Sequence, residues 1–147
     1  MPGYLFRLLG GAIAGLVSSA ALAQSANYTS VETATGKVLQ LTYHASAHKD
    51  CTPGRLPTVR VIEPPTSGML TVKVAELKTS RIAGCPLLKT PARVVFYQSR
   101  EGYTGPDRVK YEVTSENGEV ATYDTTITVK SAPAPSQPNG EPGTRGL

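Results

Sequence analysis

Residues 95–113 read Val-Phe-Tyr-Gln-Ser-Arg-Glu-Gly-Tyr-Thr-Gly-Pro-Asp-Arg-Val-Lys-Tyr-Glu-Val, and this stretch decides the fold. A strand pattern runs into a turn bounded by Gly102 and Gly105, and a second strand follows. In that second strand Val109, Tyr111 and Val113 lie on one face, while charged side chains alternate with them on the other. This period of two is typical of a half-buried strand in an antiparallel sheet.

Similar strand patterns recur along the rest of the chain. They are separated by turn-forming sequences such as Pro64-Pro65 and Asn117-Gly118. No segment has helical periodicity, so we expect an all-β, two-sheet antiparallel sandwich without crossover helices. Seven strands are predicted, at residues 28–33, 37–45, 58–63, 69–77, 92–98, 107–115 and 119–130.

The alternation also predicts which side chains point inward. In the second strand Leu39, Leu41 and Tyr43 share the inner face, which places His44 on the outer face. In the fourth strand we expect an inner row formed by Leu70, Val72 and Val74.

The termini differ in composition from the middle of the chain. Arg7, an apolar run at residues 8–17 and the Ala21-Leu22-Ala23 pattern predict a signal peptide at residues 1–23, with an uncleaved anchor as the alternative. Residues 24–131 form the predicted domain. Residues 132–147 are rich in Pro and Gly and predict a disordered tail. No membrane span is expected after cleavage, because no later segment is apolar enough.

The formal net charge is +4, and the basic residues are concentrated between Lys49 and Arg93. A basic face there would suit an anionic surface polymer, and an ordinary solvated face is the alternative. A nucleic acid partner is not expected, because an export signal removes the chain from nucleic acids and no binding motif is present.

The chain has two cysteines, Cys51 and Cys85. In an exported protein an even cysteine count predicts a disulfide, here closing a loop of about 35 residues. A free or metal-binding pair is the alternative, but the two thiols lack the spacing of a CxxC motif.

Few residues suggest chemistry. His44, His48, Asp50 and Cys51 form a cluster that predicts at most a weak two-histidine metal site once Cys51 is in a disulfide, with solvated histidines as the alternative. No nucleophile motif or paired carboxylates are present, so we expect neither an enzyme nor a cofactor.

The tyrosines allow two interpretations, a carbohydrate-stacking platform or core packing. Tyr97, Tyr111 and Tyr123 fall at inward strand positions, which favours the core, whereas Tyr103 lies in a turn and is the candidate for a surface role.

The chain resembles the bacterial Ig-like or cadherin-like domains of cell-surface and secreted proteins. The resemblance rests on a Pro-x-x-Gly turn at residues 65–68, on Tyr97, and on the Gly-Tyr-x-Gly-x-Asp core formed by Gly102, Tyr103, Gly105 and Asp107. It continues through residues 109–113, Asn117-Gly118 and residues 127–129.

This resemblance implies an Ig-like sandwich in which residues 102–107 form a structural turn. We expect Asp107 to accept backbone N–H groups of that turn. Many relatives carry an Asn/Asp-rich loop after the second strand that suits calcium. Here residues 46–51 contain one acid, so no calcium site is expected.

The expected function is a non-enzymatic, exported Ig-like binding or structural module of the bacterial envelope, periplasmic or secreted. Its expected partner is an unknown envelope protein or an anionic surface polymer, contacted through an exposed edge strand or loops. The alternative is a periplasmic metal-binding protein that uses His44 and His48.

Overall fold

A computed structural model describes residues 24–80 and 84–135. The predicted signal peptide lies outside these ranges, as do residues 136–147 of the predicted tail. The described residues contain no helix of the length and apolarity needed to cross a membrane.

Within these ranges seven strands form two sheets, which confirms the predicted all-β sandwich. One sheet has the order β1-β7-β6-β3 and the other the order β2-β5-β4. The strands are β1 (Ser25–Ala34), β2 (Val38–Ala45), β3 (Thr58–Glu63), β4 (Gly68–Thr79), β5 (Leu88–Ser99), β6 (Gly105–Thr114) and β7 (Val120–Lys130).

The strand order is that of an Ig-like sandwich. The trios β3-β6-β7 and β2-β5-β4 correspond to the two sheets of the Ig fold. β1 differs from the constant-type arrangement, because it pairs in parallel with β7 over its whole length, from Ser25 beside Ala121 to Ala34 beside Lys130. β1 and β2 therefore form the edges of the two sheets on one side of the sandwich, and β3 and β4 form the edges on the other.

The core lies between the sheets in two adjoining clusters. One is built around Tyr97, Val109 and Ile127, and the other around Val95 and Tyr111. Leu41 and Leu70, from the two edge strands of the smaller sheet, pack against both clusters. The predicted assignment of Tyr97 and Tyr111 to the core is confirmed, since both are fully buried.

The predicted orientations of His44 and Tyr43 are both wrong. The pairing of β2 with β5 shifts register between Gln40 and Thr42, so one extra residue is inserted there. Such a bulge reverses which side chains face inward beyond it. His44 is consequently 8% exposed and contacts the core tyrosines instead of solvent.

The predicted inner position of Val74 is also wrong. Val74 pairs with Arg93 and is 54% exposed. β4 is an edge strand, and the packed core along it ends at Val72, so Val74 lies beyond the region that the opposite sheet covers.

The chain connections divide between the two ends of the sandwich. The turn end carries the connections at residues 35–37, 64–67 and 100–104. The loop end carries the connections at residues 46–57, 80–87 and 115–119. Both ends contain hydrogen bonds to side chains, and the loop end also contains a covalent cross-link.

A disulfide joins Cys51 to Cys85, as predicted, with the two Cα atoms 5.4 Å apart. Cys51 lies at the tip of the loop after β2, which folds back on itself through hydrogen bonds between His48 and Thr52 and between Ser46 and Gly54. Cys85 is buried in the connection between β4 and β5. The bond therefore ties together the connection between β2 and β3 and the connection between β4 and β5.

Replacing both cysteines with serine should lower the free energy of unfolding by about 2 to 5 kcal/mol, because the unfolded chain regains the entropy of a large loop. Urea denaturation of the oxidised protein and the double variant measures the difference. Mass spectrometry should find both thiols blocked before reduction; two free thiols, or equal stability of the two proteins, would contradict the assignment.

Candidate binding site

The residues of the predicted structural turn gather around the carboxylate of Asp107, which is buried at the turn end. One oxygen accepts hydrogen bonds from the Thr66 amide at 3.0 Å and the Arg108 amide at 2.9 Å. The other accepts from the Ser67 amide at 3.1 Å and from the Tyr97 hydroxyl at 2.8 Å. Burial raises the pKa of Asp107, but these hydrogen bonds favour the charged form and the net shift is downward.

The predicted partners of Asp107 are therefore wrong. None of the donors lies in the turn at residues 102–107, because Arg108 follows that turn in β6 and the others belong to the connection between β3 and β4 and to β5. The reason is the strand order, which places the start of β6 beside β3. Gly68 is needed at the same place, because a Cβ there would lie 2.5 Å from the Gln98 carbonyl oxygen and 2.7 Å from the Tyr97 ring.

Tyr103 and Gly105 complete the turn end. The Tyr103 hydroxyl donates to the Pro106 carbonyl, and its ring packs on the core. Gly105 has a φ of +129°, and a Cβ there would lie 3.1 Å from the Tyr103 hydroxyl oxygen. Gly102 also has a positive φ. These contacts describe a structural role, and the surface role considered for Tyr103 has no support from them.

A cleft opens at the loop end, between the start of β1, the end of β2 and the start of β7. We call it the edge cleft. Its main part has a volume of about 600 Å³, and an adjoining part near the β6–β7 turn has about 470 Å³. Both fall within the range of about 300 to 1,000 Å³ typical of ligand pockets. The residues of the main part used below are Ser25, His44, Glu119, Ala121 and Tyr123.

The floor of the edge cleft is aromatic. His44 meets the Tyr123 ring edge-on, with the centroids 4.6 Å apart, and Tyr123 stacks on Tyr111 at 5.2 Å. The His44 Nε2 atom lies 3.4 Å from the Tyr111 hydroxyl oxygen. Burial lowers the pKa of His44 to about 4, so the imidazole is uncharged at neutral pH.

The rim of the cleft carries carboxylates. Glu119 accepts a hydrogen bond from the Asn117 side-chain amide at 2.6 Å. In the adjoining part, Glu116 accepts a hydrogen bond from the Arg55 backbone amide at 3.1 Å and lies 3.8 Å from His48. Glu116 therefore connects the β6–β7 turn to the loop after β2, which gives the rim a defined shape.

The predicted metal cluster is dispersed. His44 lies on the cleft floor, His48 contacts Glu116 at the rim, Asp50 bonds to Thr52, and Cys51 is in the disulfide. Over residues 24–80 and 84–135, no group of three or more His, Cys, Asp or Glu side chains is arranged to hold a metal ion.

The edge of β1 borders this cleft through Ser25. Its ten residues pair with β7 without a register shift, and among the described residues no strand pairs with its other side. Residues 25–31 contain no charge and no proline. Tyr28 in the middle is 79% exposed, and Glu32 forms an ion pair with Lys130 at 2.6 Å.

The other three edges carry features that discourage pairing with another strand. β2 has the bulge described above. β3 is only six residues long and has its own register shift near Glu63. β4 carries Lys73, Glu76 and Lys78. β1 is therefore the least protected edge in the part of the chain that the structure describes.

No protein-family model matches the chain, and no curated protein matches it. Among solved structures, the chain is similar to one titled "Solution Structure of Amebosin", with 10% sequence identity and a TM-score of 0.39. The similarity covers 74% of this chain and 99% of that one.

Replacing Asp107 with alanine should lower the free energy of unfolding by about 3 kcal/mol or more, because it leaves the Tyr97 hydroxyl and three backbone amides without their side-chain acceptor. Asp50→Asn is the matched control, since Asp50 is an exposed aspartate bonded only to nearby Thr52, and it should change stability by less than about 1 kcal/mol. Urea denaturation measures both; a loss below about 1 kcal/mol for Asp107→Ala would contradict the role assigned to this carboxylate.

Stability should fall as the pH drops from 6.5 towards 4, because the pKa of His44 is about 4 when folded and near 6.5 when unfolded. Between these pH values the folded state binds fewer protons than the unfolded state, so acid lowers the free energy of unfolding. The loss reaches up to about 3 kcal/mol and levels off below pH 4. Denaturation at pH 7.0 to 5.5 measures this dependence before carboxylates, whose ordinary pKa values are about 4, titrate appreciably.

His44→Gln should remove most of this pH dependence, because glutamine can still bond to Tyr111 but does not titrate. His48→Gln is the control, since His48 lies at the exposed rim, and it should keep the dependence. The same slope in the wild-type protein and His44→Gln would show that another group is responsible.

Proposed function

We propose that this protein is a non-enzymatic, exported binding module that recognises a partner polypeptide by accepting one of its strands at the free edge of β1. The observation that carries the proposal is the continuous, uncharged pairing edge at residues 25–31. Strand addition uses main-chain hydrogen bonds for affinity and alternate side chains for specificity. An exposed strand without charge, proline or bulge has the properties that this mode requires.

The direction of the main-chain groups supports this use of the edge. The Thr35 amide donates to the Lys130 carbonyl of β7 at 2.8 Å. Because the hydrogen-bonding direction alternates along a strand, the odd-numbered residues of β1 face β7. Tyr28, Ser30 and Glu32 accordingly present their N–H and C=O groups to the free side.

Two further observations support export. The Cys51–Cys85 disulfide fits an oxidising compartment, and the N-terminal residues have the pattern of a signal peptide. The resemblance to bacterial Ig-like and cadherin-like domains favours the periplasm or the cell exterior, with an envelope protein as partner.

An anionic surface polymer is a less favoured partner. The basic residues of the region between 49 and 93 are spread over both sheets, with Arg60 on β3 and Lys73 on β4. Arg60 already pairs with Glu112 at 2.6 Å, and Lys89 lies 3.8 Å from Glu76. A dispersed and partly neutralised set of cations attracts a polyanion less strongly than a single basic face would.

Ser30→Pro tests the proposal, because it removes one outward N–H while leaving the β1–β7 hydrogen bonds in place. Ser30→Ala is the matched control, since it loses the hydroxyl and keeps the N–H. The immobilised mature proteins are incubated with an envelope extract, and retained proteins are identified by mass spectrometry. Wild type and Ser30→Ala should retain the same protein, and Ser30→Pro should lose it.

Thermal melts establish that each variant is folded before retention is compared. Equal retention by a folded Ser30→Pro protein would refute strand addition at β1. Retention of nothing specific by the wild-type protein would count against the binding module itself.

A further inference from the structure

The edge cleft differs in charge from the rest of the molecule. The chain carries a formal net charge of +4. None of the described residues that line either part of the cleft is a lysine or an arginine, whereas Glu119 lines both parts and Glu116 lines the adjoining one. The cleft is therefore an acidic site on a basic protein.

One ring nitrogen of His44, on the floor of the cleft, is accessible from the cleft. His44 is more than nine-tenths buried, and its Nε2 atom is engaged by the Tyr111 hydroxyl. In the part of the chain that the structure describes, every fully enclosed side-chain nitrogen or oxygen atom has a hydrogen-bond partner. The His44 Nδ1 atom has no such partner there, so it is not fully enclosed. Because His44 lines the edge cleft, we take the cleft to be the space from which Nδ1 is accessible.

The cleft also lies where a strand added to β1 would pass. Ser25 belongs both to the free edge and to the cleft lining. Along an added strand every second side chain points towards the space between the sheets. Near Ser25 such a side chain would enter the cleft between β1 and β2.

We propose that the edge cleft binds a lysine or arginine side chain carried by the strand that adds to β1. The identity of the occupant rests on the function proposed above, and the chemistry of the site rests on its own residues. Glu119 supplies a carboxylate for the cation, and the Tyr123 ring on the floor supplies an apolar surface for the stem of the side chain. The uncharged imidazole of His44 adds a polar contact without repelling the cation.

Nα-acetyl-L-arginine amide is the probe, and Nα-acetyl-L-citrulline amide is its uncharged isostere. Each is titrated at pH 7 into the ¹⁵N-labelled mature protein, and amide chemical shifts are followed by NMR. The arginine derivative should shift the resonances of Ala45, Ser46 and Ala121 in a saturable way. The citrulline derivative should shift them at least several-fold less at equal concentration.

Two variants test where the probe binds. Glu119→Gln should weaken binding about two- to fivefold, the effect of losing one solvent-accessible ion pair. Glu76→Gln, a carboxylate on the distant β4 edge, should leave binding unchanged. Ser25→Trp places a large ring at the mouth of the cleft and should abolish the shifts; because Ser25 is exposed, it leaves the core untouched.

Equal shifts with arginine and citrulline amides, or shifts confined to residues outside the cleft, would overturn the proposal. An unchanged affinity in Glu119→Gln would also overturn it. These results are independent of the retention experiment on Ser30→Pro. Arginine binding in the cleft without loss of the partner in Ser30→Pro would mean that the edge proposal fails while the cation site stands.

Discussion

Five hydrogen bonds converge on the carboxylate of Asp107, and they bring together three segments that are distant in the sequence. The connection between β3 and β4 donates through Thr66 and Ser67, β5 donates through Tyr97, and β6 carries the acceptor. Removing a carboxylate from water costs free energy. A buried carboxylate is therefore stable only where hydrogen-bond donors satisfy its oxygen lone pairs. The geometry of the turn end is fixed accordingly, since displacing any one donor leaves a buried charge with poorer compensation.

The neighbouring contacts extend this arrangement to the remaining turn. Arg100 donates its backbone amide to the Ser67 carbonyl, and the Ser99 hydroxyl accepts from the Gly36 amide. All three connections at the turn end are therefore linked through β5 and Asp107. Residues 65–68, Tyr97 and Asp107, which carry one part of the resemblance to bacterial Ig-like and cadherin-like domains, belong to this arrangement, so that part of the pattern describes how the sandwich closes.

Much of the fold could be predicted from the sequence, because alternation directly reports which faces are half-buried. Val109, Tyr111 and Val113 are buried as their spacing predicts, and the hairpin and disulfide follow from local chemistry and export. The orientation of His44 could not be predicted, because the alternation of apolar and polar residues in β2 continues regularly across the bulge at Leu41.

The surroundings of Asp107, the free edge of β1 and the edge cleft could not be predicted, because they depend on how strands far apart in the sequence are arranged. The donors to Asp107 and the exposure of Val74 both depend on which strands lie opposite each other. The lack of charge at residues 25–31 is visible in the sequence, but its meaning depends on β1 being an edge. The edge cleft is lined by residues of β1, β2 and β7 that are far apart in the sequence, so Glu119 and Ser25 could not have been associated before the strand order was known.

The parallel pairing of β1 with β7 has a mechanical consequence. The described chain enters the sandwich at Ser25 and leaves it after Lys130, at opposite ends of two strands that run side by side. Tension applied between these two points is directed along the strands and loads the ten residue pairs in shear, so they must yield together instead of opening one after another. If the protein is tethered at these two points, the load falls first on the strands that carry Val31, Ile127 and Val129, so slippage of this pair also disrupts the first core cluster.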